Sequence, residues 1–157
     1  MDNYQIAYIA SSHNHCKEWY GGVYTPDTLP IIHKKYPIFY ICNTSLLNEK
    51  GKHWVIIIFP SKDKPLEYFD SLGKRPKKHS TLLENYLIAN SKGNFIQNSV
   101  PYQDSDSSTC AEFCLYFADL RAQNVEFPII LQTFDKDNLT MNELLVRSYV
   151  HSHMKRP

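Results

Sequence analysis

Three short runs decide the architecture: Pro37-Ile38-Phe39-Tyr40-Ile41-Cys42-Asn43, His53-Trp54-Val55-Ile56-Ile57-Ile58-Phe59 and Leu66-Glu67-Tyr68-Phe69-Asp70. Each is rich in β-branched and aromatic residues and bounded by turn formers, the pattern of buried strands. The connections, Leu47-Asn48-Glu49-Lys50-Gly51 and Lys62-Asp63-Lys64-Pro65, are short and polar, so the three strands are expected to form an antiparallel meander. Working outward, Ser80 is placed to cap a helix whose Leu82, Leu83, Tyr86 and Leu87 share a face. A β-prone piece runs from Asn94 to Val100. The polar stretch Gln103-Asp104-Ser105-Asp106-Ser107-Ser108-Thr109 then leads into Cys110, Phe113, Cys114, Phe117 and Leu120, a helical stripe. Thr140 and Glu143 suggest a capping box before a last helix carrying Leu144, Leu145 and Tyr149. The first 36 residues read as irregular, with turn signals at Gly21-Gly22, Pro26-Asp27 and Pro30. Strands in the middle with helices around them make an α+β fold.

Composition narrows the function classes. The chain has 157 residues, 43% hydrophobic and 21% charged, which suits one globular domain over 1–157 and excludes a largely disordered chain. The 17 Lys+Arg against 16 Asp+Glu leave a formal charge of +1, which argues against a surface wholly devoted to phosphate binding. No apolar run reaches the ~20 residues that span a bilayer, and the start, Met1-Asp2-Asn3-Tyr4-Gln5, lacks a secretory pattern. An intracellular setting is expected, where Cys16, Cys42, Cys110 and Cys114 are buried, metal-bound or catalytic rather than paired in disulfides.

Cys110 carries the most chemical promise. It opens a helix after a Ser-rich loop, so unpaired backbone N–H groups and the positive helix end favour its thiolate, the nucleophilic form. The plainer alternative is a core residue at a helix start. A thiol nucleophile needs an imidazole to take its proton and a third group to hold the ring. His53 opens one strand and Asp70 closes the next, so an antiparallel pairing brings them to one end of the sheet. Gln103, just ahead of Cys110, has an amide N–H₂ that could serve an oxyanion beside the Cys110 backbone N–H.

The ordered set His53-Trp54, Asp70 placed 17 residues later, and Gln103 placed 7 before Cys110 resembles the adenovirus-type (adenain-like) cysteine endopeptidases, distant kin of the SUMO-specific proteases. Gly21-Gly22-Val23-Tyr24, Leu29-Pro30, Tyr36-Pro37, Asn43-Thr44 and Gly51-Lys52-His53-Trp54 are similar to the proteases of adenovirus-like viruses and Polinton/Maverick elements, and the likeness covers about residues 19 to 120. The resemblance implies a papain-like thiol protease fold with a central, mainly antiparallel sheet. It implies Cys110 as nucleophile, His53 as base and then acid, Asp70 as the group orienting His53, and Gln103 in the oxyanion hole. Trp54 would shape a narrow substrate channel suited to glycine before the scissile bond. Expected substrates are viral or virus-like capsid precursors, and the expected location is the host nucleus or the virion. The chain departs from the family in having Ala111 where Gly is usual after the nucleophile, which predicts retained but reduced or narrowed activity. It also has no Cys between Asp70 and Gln103, so a disulfide-linked peptide activator is not expected.

Rival readings are weaker. Cys110, Cys114 and His53 lack the second Cys pair of a structural zinc site, and Cys114 is read as core. His13-Asn14-His15-Cys16 reads as a solvent-facing polar turn, so no metal or other cofactor is expected. Lys74-Arg75-Pro76-Lys77-Lys78 is read as a solvated loop, and as the place to look for DNA binding if the chain has any. Asp104, Asp106 and Glu112 read as surface charges, and His151 to Pro157 as a frayed end. The expected partner is a polypeptide, with no membrane and no stable oligomer. A ubiquitin- or SUMO-like-protein isopeptidase, and an inactive binding module on a protease fold, are the alternatives.

Overall fold

The computed structural model describes residues 1–47 and 53–154. The turn expected around Asn48 to Gly51, the Gly51-Lys52 part of the family motif and the last three residues lie outside the described residues. The elements in chain order are α1 (Asn3–Ser12), α2 (Cys16–Trp19), β1 (Tyr20–Tyr24), β2 (Ile38–Asn43), β3 (Trp54–Phe59), β4 (Glu67–Phe69), α3 (Thr81–Ser91), β5 (Ile96–Gln97), α4 (Cys110–Ala122), α5 (Phe127–Leu131) and α6 (Leu139–His153), with a 3-10 turn at Pro76–Lys78 ahead of α3.

The three decisive runs form β2, β3 and β4, paired antiparallel through Ile41↔Ile56 and Ile57↔Tyr68. Two flanking strands pair in parallel: β1 on β2 and β5 on β4. The sheet, in order β1-β2-β3-β4-β5, is therefore mixed, with the expected meander at its centre. Parallel pairing needs a long crossover, and the segment leading from β1 to β2 and α3 between β4 and β5 supply it. Strands β2, β3 and β4 are buried on both faces. Phe39, Ile41, Ile56, Ile58 and Phe69 pack with α1, α4 and α6, while Tyr40, Cys42, Val55, Ile57 and Tyr68 pack with Leu83 and Leu87 of α3.

Several local expectations are corrected. The first 36 residues are irregular only from Thr25 onward, with the expected turn at Pro26-Asp27; before that, Asp2 caps α1 in a capping box with Gln5, and Gly21-Gly22 lies within β1. Gly21 is required by close approach, since a Cβ there would meet Tyr40 and Ile38 at 2.5 and 2.6 Å. Ser80 does cap α3, accepting from the Leu83 N–H at 3.2 Å, but Leu82 points to solvent and only Leu83 and Leu87 are buried. The cap of α6 is Asn138, whose side chain accepts from Met141 N–H, and not a Thr140–Glu143 box. Leu144 and Leu145 remain exposed while Asn142, Val146 and Val150 face inward. Helix α4 is not amphipathic. Its residues are buried on almost every side because the sheet, α2, α5 and α6 all pack on it.

Candidate active site

His53 immediately precedes β3 and Asp70 immediately follows β4. The β3–β4 register pairs Ile56 with Phe69. Continued by one residue, it sets Asp70 opposite Val55 and diagonal to His53, the neighbour position within side-chain reach. His53 Nε2 lies 2.6 Å from Asp70 Oδ1. Cys110, the first residue of α4, lies near enough to the ring to raise its proton affinity, and the two side chains line the same cavity. The sheet end and the helix start thus bring together three side chains from positions 53, 70 and 110, as the sequence order anticipated.

Asp70 is wholly buried and fully engaged. Oδ1 accepts from His53 and from the Leu72 N–H at 2.9 Å, and Oδ2 accepts from His79 Nε2 at 2.6 Å and the Lys74 N–H at 3.3 Å. Burial pushes its carboxyl up, but the hydrogen bonds and charges of the two imidazoles outweigh this and hold it well below the usual carboxylate range. His53 shows the complementary balance. Burial lowers its proton affinity, yet the hydrogen bonds to Asp70 and Cys110 and the negative charge of those partners prevail, and the ring is pushed up to about 9.

Gln103 is held within hydrogen-bond reach of two loop partners. Its Oε1 accepts from Ser71 Oγ at 2.5 Å and its Nε2 donates to the Ser107 carbonyl at 2.9 Å. The backbone N–H groups of Tyr102 and Gln103 both donate to the Ser71 carbonyl, at 2.8 and 3.0 Å, so the Gln103 segment is docked on the residue that follows Asp70. The loop into α4 is secured from below: Glu143 of α6 accepts from the hydroxyls of Ser107 and Thr109. Cys110 is the first helical residue, and its N–H has no acceptor within the helix.

A cavity of about 670 Å³ opens over this site, lined by His53, Trp54, Gln103, Cys110 and Ala111 together with Val23 and Tyr24 of β1. Cys110 is 9% exposed and contributes to the wall, while Cys16, Cys42 and Cys114 are more deeply buried. Burial pushes the Cys114 thiol well up, as befits a core residue. In the segment His13 to Cys16, Asn14 and His15 face solvent as expected, but His13 and Cys16 turn inward. His13 Nε2 sits 2.9 Å from Asp119 Oδ1, and the buried Cys16 Sγ is 3.8 Å from the same oxygen, so the turn docks α1 and α2 on α4. Nor is the end of the chain frayed through His153, which is helical. Lys74, Arg75, Lys77 and Lys78 are exposed as expected. Among the described residues, one group has ligand atoms close enough to share a metal: His53, Asp70 and His79. Four donors already occupy the Asp70 oxygens, so this is a hydrogen-bonded array. Sequence reading missed His79, Ser71 and Glu143. No periodicity or motif marks His79 or Ser71, and the capping box read at Glu143 pointed to a different role, so only their positions in space reveal them.

The sequence model of the Ulp1 protease family, C-terminal catalytic domain, matches residues 5–146. The chain belongs to the Ulp1 protease family. It is therefore a Ulp1-family cysteine peptidase domain. No curated protein sequence matches it. Among solved structures, the domain is similar to the African swine fever virus (ASFV) pS273R protease, at 17% identity over 96% of this chain and 66% of that one, with a TM-score of 0.50. A selenomethionine form of the same viral protease matches at 18% identity over 76% of this chain and 44% of that one, with a TM-score of 0.48. The SUMO protease Ulp1 with its catalytic cysteine oxidized to a sulfinic acid matches at 23% identity over 75% and 54% of the two chains, with a TM-score of 0.39. The Ulp1-family domain thus spans between 44% and 66% of the length of these relatives. Its α+β architecture is the papain-like one, a mixed five-stranded sheet packed against helices. Among the described residues, no helix is long and apolar enough to cross a membrane.

Proposed function

We propose that this Ulp1-family domain is an endopeptidase that cleaves peptide bonds through Cys110, His53 and Asp70. One observation carries the reading: His53 is bonded to a buried carboxylate and lines the same cavity as a cysteine at a helix start. His53 takes the Cys110 proton, and the thiolate attacks the scissile carbonyl. The developing oxyanion is met by the Cys110 N–H and the free hydrogen of Gln103 Nε2. The imidazolium then gives its proton to the leaving amine, and the acyl-thioester is hydrolysed by a water that His53 deprotonates. Asp70 keeps the ring oriented and stabilises its charge throughout.

The substrate side of the proposal is narrower. Trp54 and Ala111 line the wall beside Cys110, which favours small residues, glycine above all, before the cut. The spacing of His53-Trp54, Asp70, Gln103 and Cys110 supports the adenovirus-type branch and a viral or virus-like precursor polypeptide as substrate. Family membership favours a second reading, release of a ubiquitin-like modifier by the same chemistry. Purified protein is to be offered peptides with Gly-Gly, Gly-Ala and bulky residues before the bond, and a SUMO-like fusion. Cleavage of the Gly peptides with the fusion left intact is expected, and cleavage of the fusion alone favours the second reading. Cys110→Ala should remove turnover, a loss on the order of 10⁴-fold or more. Unchanged turnover in that variant overturns the assignment.

A further inference from the structure

Asp70 does not serve one histidine. Its two oxygens are divided between His53 and His79, each through Nε2 and each at 2.6 Å. The rings lie 5.1 Å apart, tilted by 34°, flanking the carboxylate. His79 arrives from a different part of the chain. It closes the 3-10 turn Pro76–Lys78, where its own N–H bonds to the Pro76 carbonyl, and it directly precedes the Ser80 cap of α3.

We propose that His79 is a positioning residue, clamping Oδ2 of Asp70 so that Oδ1 faces the His53 ring in the geometry that proton transfer with Cys110 requires. The proposal rests on the peptidase reading above. The arithmetic of donors supports it. Without His79, Oδ2 would keep only the Lys74 N–H, at 3.3 Å, whereas Oδ1 would keep both of its bonds. The carboxylate would then be free to turn about its last bond, and His53 would lose a fixed partner. The His79 side chain is 10% exposed and Asp70 wholly buried, so water is poorly placed to take over the bond. The role needs only an N–H on Nε2 pointed at Oδ2, which holds the oxygen in place. A plain structural tie between the Pro76–Lys78 turn and β4 is the competing account. It predicts lost stability with no dependence of the kinetics on Asp70.

The test compares His79→Ala, His79→Gln and His79→Phe. Gln carries an amide N–H near the Nε2 position, and Phe fills the ring volume with no donor. Two quantities are read: kcat and KM on a Gly-Gly peptide, and the rate of Cys110 alkylation by iodoacetamide, with Cys110→Ala as the blank. His79→Ala and His79→Phe should each lower kcat and the alkylation rate roughly tenfold with KM held within about twofold, and His79→Gln should recover most of the loss. In an Asp70→Ala background, His79→Phe should change the alkylation rate by less than about twofold. An equal loss in that background, or a Gln variant no better than Phe, overturns the clamp, and so does a Phe variant with full kcat. If His79→Ala does not fold, the Gln and Phe pair carries the same comparison. A parent protein that cleaves no peptide while its Cys110 follows the alkylation pattern sinks the peptidase reading and keeps the clamp. A parent that cleaves while the variants break the pattern does the reverse.

Discussion

The carboxamide of Gln103 has an accepting end and a donating end, and Ser71 determines which one is available. Its hydroxyl bonds to Oε1, so Nε2 is turned to the Ser107 carbonyl and to the cavity. Ser71→Ala would leave a buried amide oxygen unpaired, a cost of about 1–3 kcal/mol, and release the amide to flip. Steady-state kinetics should show kcat lowered by roughly tenfold at nearly constant KM. The pH profile belongs to the same scale. His53 is held protonated up to about 9 by Asp70 and Cys110, so kcat/KM should fall as pH rises through that value and the acid for the leaving amine is lost. The linked stability follows the same sign. A raised imidazole contributes stability that is complete below its unfolded value near ~6.5 and is lost as pH climbs through its folded value. The depressed Asp70 contributes above ~3.9 and fails only as pH drops through its lowered folded value. Thermal melts from pH 6 to pH 10 should therefore show a decline that His53→Gln removes.

The elements deliver these residues through turns whose geometry is strict. Residues 70 to 73 form a turn closed by the Gly73 N–H on the Asp70 carbonyl at 2.8 Å. Gly73 has φ +68, and a Cβ there would lie 2.6 Å from the Pro101 nitrogen and the Val100 carbonyl carbon, backbone that leads directly to Gln103. Gly73→Ala therefore combines left-handed strain with a backbone clash, and a loss of about 2–3 kcal/mol in urea unfolding is expected together with reduced kcat. A variant with parental stability and kcat would show that the turn does not couple the two halves of the site. How much of this was legible differs from residue to residue. The juxtaposition of His53, Asp70 and Cys110 was, because an imidazole, a carboxylate and a thiol were read at strand or helix ends, and Gln103 was singled out by its spacing ahead of Cys110. Ser71 and His79 were not, because a serine after a strand and a histidine after a turn are ordinary until their partners are known.

At the scale of the molecule, α4 runs through the middle, and the sheet is locked to its far end by charge. Arg121 donates from Nε and Nη2 to the two oxygens of Glu67 at 2.8 and 3.0 Å, with the Trp19 ring 5.3 Å beneath. Both members of the pair are buried, and burial raises the Glu67 carboxyl against the pull of Arg121. Arg121→Met would strand the carboxylate, costing about 3–5 kcal/mol, whereas Arg121→Met with Glu67→Leu should recover most of that loss. Chemical denaturation of the two variants checks this. Cys110 sits at the start of the same helix, so the pair ties the sheet to the helix that carries the proposed nucleophile.

The apolar runs by themselves determined β2, β3 and β4 and their antiparallel order, because continuous β-prone apolar runs and the short polar connections between them are local properties. They also determined that Cys110 begins a helix and that His53 and Asp70 meet at one sheet end. Only the tertiary structure decided the parallel flanking strands, the burial of α4 on nearly all sides, the docking of His13 on Asp119 and the second imidazole on Asp70. Each of these depends on which distant segment packs against which. A sequence pattern states that a side chain must be buried or satisfied, but the partner is chosen by the packing of the whole chain.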